Sequence, residues 1–65
     1  SNPITAALEA SQFKAQLSDT LNSLAEDALS LLQSAEKISF PVPEIVKSAI
    51  QSIASLAVVI NNIPG

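Results

Sequence analysis

The side chains that could do chemistry in this chain are Ser, Lys, Asp and Glu; His, Cys, Tyr, Trp and Arg do not occur. That inventory removes the commonest general bases, the thiol nucleophile and the guanidinium clamp used on phosphates and carboxylates. The nearest approach to an acid pair is Glu26-Asp27, but neighbouring helical residues diverge by about 100° and do not converge on one substrate or metal. Ser is abundant, yet no G-x-S-x-G turn occurs and the single Gly is terminal, so neither a nucleophile elbow nor a phosphate-cradling loop can be built. Lys14, Lys37 and Lys47 are scattered and read as solubility charges. Phe13 and Phe40 are the only aromatics, too few to stack on bases. The expectation is a non-enzymatic chain without cofactor or metal.

Six acidic residues against three Lys leave a net charge of -3. That balance disfavours a nucleic-acid backbone or an anionic membrane surface as partner. With no Cys, the thiol inventory does not distinguish the cytosol from the cell exterior. The most hydrophobic stretch, residues 45–60, is interrupted by Lys47, Ser48, Gln51, Ser52 and Ser55, so no transmembrane span is expected. There is no initiator Met and no basic segment leading into an apolar one, so the chain reads as an excised segment or a processed product.

The elements that carry these residues are helices. Asn2-Pro3 is a helix start, because Asn caps free amides and Pro at the first helical position loses no hydrogen bond. No Pro or Gly follows until Pro41, and the sequence predicts one long helix over residues 4–37. A break near Ser18-Asp19-Thr20 is the alternative, since these three residues compete for backbone hydrogen bonds. Residues 38–42 form the turn, as Pro41 and Pro43 disfavour helix at the residues before them and Pro43 can open the next helix. The second helix is expected over residues 43–61, ended by Asn61-Asn62 and Pro64-Gly65.

Both helices carry a heptad rhythm. Leu17, Leu21, Leu24, Ala28, Leu31, Ala35 and Ile38 in the first match Val42, Val46, Ala49, Ile53, Leu56, Ile60 and Ile63 in the second. Reflection about the turn pairs these positions, and three successive pairs oppose a small residue to a larger one. The fold class is therefore all-α, an antiparallel helical hairpin within a single small domain over residues 1–65. With this seam, Ala25, Leu29 and Leu32 beside Ile50, Ala54 and Ala57 form an apolar flank, and Ile4, Leu8 and Phe13 extend the unpaired surface towards the N-terminus. A soluble monomer does not ordinarily leave such a stripe open. Two hairpins closing on these nine residues would make a four-helix bundle, with a dimer as the preferred homo-oligomer; a partner helix or a lipid is the other occupant considered. If the first helix breaks near residues 18–20, the N-terminal segment folds back and a monomeric three-helix bundle results. The functional expectation is an oligomerisation or protein-protein docking module, with a secreted, surface-active or lipid-binding helical protein as the alternative.

Overall fold

The computed structural model describes residues 2–64; Ser1 and Gly65, the latter part of the expected C-terminal stop, lie outside the described residues. Two helices account for most of the chain, α1 (Pro3–Lys37) and α2 (Glu44–Asn61), and they pack antiparallel on each other.

Asn2 starts α1 as its sequence position implies. Its side-chain oxygen accepts from the Ile4 amide at 2.8 Å, and Pro3 takes the first helical position, where a missing N–H is harmless. The helix then runs unbroken through Ser18-Asp19-Thr20, so the three-helix alternative does not form. Ser18 does not cap a new helix: its hydroxyl donates to the side-chain oxygen of Asn61 across the hairpin.

The end of α1 is a left-handed turn. Ser39 adopts φ 53°, the Phe40 amide donates to the Ala35 carbonyl at 2.9 Å, and the Ser39 amide donates to Glu36 at 3.1 Å. This is the Schellman arrangement, which places an apolar residue just beyond the left-handed position and is usually built on Gly. A side chain at such a backbone conformation costs roughly 1 kcal/mol. Ser39→Gly is therefore expected to raise stability by about 0.5–1 kcal/mol, read as a higher midpoint in urea denaturation.

Pro43 is the N-cap of α2 (φ -58°, ψ 144°), one position before its expected role as first helical residue; its carbonyl accepts from Val46 and Lys47 at 3.0 and 3.2 Å. Glu44 sits in the first turn, where its charge suits the helix dipole. It also pairs with Lys47 at 3.5 Å, an exposed contact worth little.

The molecule is long and thin, 54 × 17 × 16 Å with a radius of gyration of 16.0 Å. A compact chain of this length has about 11 Å. The excess arises because α1 is nearly twice as long as α2, so its first turns have no helix beside them. There, among the described residues, the tail at Ile63 and Pro64 shares a shallow cleft with Ala7, Ala10, Ser11 and Lys14.

Candidate interaction surface

The contact between α1 and α2 keeps Leu21, Ala28, Ile53 and Ile60 of the heptad seam read from sequence, all half-buried, but takes Ala25, Leu32, Ile50 and Ala57 in place of Leu24, Leu31, Ala49 and Leu56. Among the described residues the two buried ones are Ala25 and Ala57, 7% and 4% exposed. Around them Leu21, Ala28, Leu32, Ile50, Ile53 and Ala54 are half-buried, whereas the expected seam residues Leu24, Leu31, Ile38, Val46, Ala49 and Leu56 are exposed. The correction has a steric origin. Ala at 25, 28, 54 and 57 lets two backbones approach closely, and the larger Leu side chains are displaced to the side of the contact.

That rotation relocates the unpaired surface. Leu24, Leu31 and Ile38 each stand one residue before the contact row of α1, and Ala49, Leu56 and Ile63 one residue before that of α2. Each is thus turned about 100° from the partner helix. In an antiparallel pair, positions on the N-terminal side of the contact on both helices fall on the same side of the hairpin. Leu24 and Leu31, 48% and 71% exposed, therefore share one side with Ile38, Val46, Leu56 and Ile63, all exposed, and with the polar Thr20, Asp27 and Ser52, which stand one residue before Leu21, Ala28 and Ile53. At the turn end this side opens into an apolar groove of about 360 Å³, lined by Leu31, Leu32, Ala35, Phe40, Val42 and Val46 among others.

The opposite side carries the residues that follow the contact row. Asn22, Glu26, Gln33, Gln51 and Ser55 make it polar, with Leu29 and Val58 as the exceptions. Asn61 ties the two helices here, donating to the side-chain oxygen of Asn22 at 3.2 Å while accepting from Ser18. Asn61→Ala is expected to cost about 0.5–1.5 kcal/mol in thermal or urea unfolding. Asn62→Ala, at an exposed neighbour outside that network, is expected to change nothing measurable.

The nine residues expected at an interface are thus divided. Ala25 and Ala57 are inside the hairpin, and Leu32, Ile50 and Ala54 border the same internal contact. Leu29 is exposed on the polar side. Ile4 and Leu8 are also exposed; each lies 18 residues, five full turns, before Asn22 and Glu26 and points the same way as those polar residues. Phe13, 64% exposed, lies five turns before Leu31 and so belongs to the apolar side. Among the described residues, Glu26 and Asp27 are both exposed, and no three acidic side chains gather at a common point.

Helix α2 is, by length and composition alone, long and apolar enough to cross a bilayer: 18 residues with a mean hydropathy of 1.3. The sequence expectation of no span rests on its interrupting Ser, Gln and Lys residues. The hairpin adds that any membrane embedding of α2 would carry with it the half of α1 bearing Asp19, Glu26, Asp27 and Glu36. No protein-family model, curated protein or solved structure matches this chain.

Proposed function

We propose that the chain is a non-enzymatic helical interaction module that self-associates or docks on a protein partner through the apolar side of the hairpin. The observation that carries this reading is the partial segregation of the surface: Leu24, Leu31, Ile38, Val46, Leu56 and Ile63 are exposed together, while the reverse side of the paired helices is mostly Asn, Gln, Ser and Glu, with Leu29 and Val58 as exceptions. A water-soluble hairpin with no partner would gain from polar residues on both sides. Size-exclusion chromatography with light scattering over a hundredfold range of concentration tests self-association. A mass above that of one chain is the expected result. A monomer mass throughout removes self-association from the reading and leaves docking on a different protein.

A second reading follows from α2, of which only 11% is buried in the hairpin despite its hydropathy. Such a helix could lie at a lipid surface, making the chain a surface-active or lipid-binding protein. Against this stands the polar face, which is Ser, Gln and Asn where interfacial helices generally carry Lys and Arg. Sedimentation with zwitterionic and anionic vesicles separates the readings, since a pure protein-docking module stays in the supernatant with both.

A further inference from the structure

We infer that the occupant of the apolar side is a second copy of this chain, bound antiparallel, with Phe13 of each α1 seated in the turn-end groove of the other. This rests on the interaction-module reading above and names its partner and register.

The first support is area. The chain exposes 5050 Å² for a mass of 6.7 kDa, whereas a folded monomer of that mass exposes about 3,900 Å². The difference, about 1,100 Å² per chain, would amount to about 2,200 Å² in a symmetric pair, within the range of permanent homodimers. A second copy of the same elongated hairpin supplies a surface of the required length and the same apolar character.

The second support is the mismatch in helix length. Residues 3 to about 17 of α1 have no α2 beside them, and the groove at the opposite end of the hairpin has nothing over it. In a parallel pair, α1 of one copy lies on α2 of the other. The two overhangs then sit diagonally across the bundle, out of reach of each other, and both grooves face each other unfilled. In an antiparallel pair, α1 lies on α1 and each overhang runs along the turn end of the other copy. Only the second arrangement covers both features.

The register follows from the apolar row. A two-fold axis at residue 22 sets Phe13 against Leu31 and the groove, and Thr20 against Leu24. Phe13, Leu24 and Leu31 are the apolar members of this row. Phe13 and Phe40, the two aromatics, then meet at the same place: Phe13 enters the groove that Phe40 helps to line.

The chain has no Cys, so single thiols report this geometry cleanly. Full-length F13C and L31C variants are mixed in equal amounts, oxidised with diamide and analysed by mass. The expected result is a mixed F13C–L31C disulfide in clear excess over either homodimer. Predominant F13C–F13C or L31C–L31C product overturns the antiparallel register. Absence of any cross-link, with light scattering still giving two chains, overturns the register while leaving the interaction module intact. A monomer at all concentrations overturns the second copy as occupant. F13A, which lies outside the internal contact of the hairpin, is expected to weaken dimerisation at least tenfold; an unchanged dimerisation constant would likewise overturn the seating of Phe13.

Discussion

Ala57→Leu is expected to destabilise the hairpin by about 1–3 kcal/mol, with the larger value where the backbone cannot move aside. Ala57 is the most deeply buried residue described, 4% exposed, and it lies where the close approach of the helices depends on a side chain of one carbon. Three additional carbons would separate α1 from α2 along the row from Leu21 to Leu32. Small domains without disulfide or metal retain only about 3–5 kcal/mol in total, so this one substitution removes a large share. Urea denaturation followed by far-UV circular dichroism measures it. The informative control is the neighbour: Ser55→Leu adds a larger side chain at an exposed position of the same helix and is expected to be within about 0.5 kcal/mol of the parent. Equal effects at 55 and 57 would show that the Ala row does not set the approach.

The second large effect belongs to the exposed apolar side. Leu31→Glu replaces a side chain that is 71% exposed in the single hairpin, so the hairpin itself loses little. In a symmetric pair the same change occurs twice, removing two Leu side chains from the interface. At about 1.5–3 kcal/mol for each, dimerisation weakens by roughly 10²–10⁴-fold, before the cost of placing two carboxylates in an apolar contact is added. Analytical ultracentrifugation reads the shift directly. Leu29→Glu is the matched control, because Leu29 lies on the polar side; it is expected to leave association unchanged. The reverse outcome, loss of association with Leu29→Glu and none with Leu31→Glu, would place the contact on the other side of the hairpin.

These two expectations differ in kind although both concern residues of the heptad rows, Ala57 in α2 and Leu31 in α1. Ala57 acts within one chain and Leu31 between chains. Residues separated by a single step round a helix thus serve different contacts, and a shift of one position in the seam exchanges their roles. That is why the Ala25, Ala57 and Leu31 assignments changed most between sequence and structure.

What the sequence alone determined is the set of elements. Asn2-Pro3 starts the first helix because capping and a fixed φ act within a few residues. Pro41 and Pro43 end it and frame the turn for equally local reasons, and the long run without Gly or Pro makes both arms helical. Antiparallel pairing followed from the short turn and two apolar stripes of equal rhythm. The left-handed Ser39 was not legible, because the residue that usually marks that position is Gly.

What only the tertiary structure decided is the rotation of each helix about its axis. A stripe such as Leu17, Leu21, Leu24, Ala25, Ala28, Leu31, Leu32 is wider than one contact, and periodicity alone does not say which edge of it meets the partner. Packing decides this, by how near two backbones can come, and in this chain the alanines decide it. The Ser residues that could have done chemistry divide the same way: Ser18 reaches Asn61 on the other helix, a tertiary contact, while Ser34 and Ser52 donate locally to their own helix at Ser30 and Ser48, each at 3.0 Å. Long-range neighbours, which spacing along a chain cannot supply, account for the first of these uses and for the side on which the unpaired leucines finally lie.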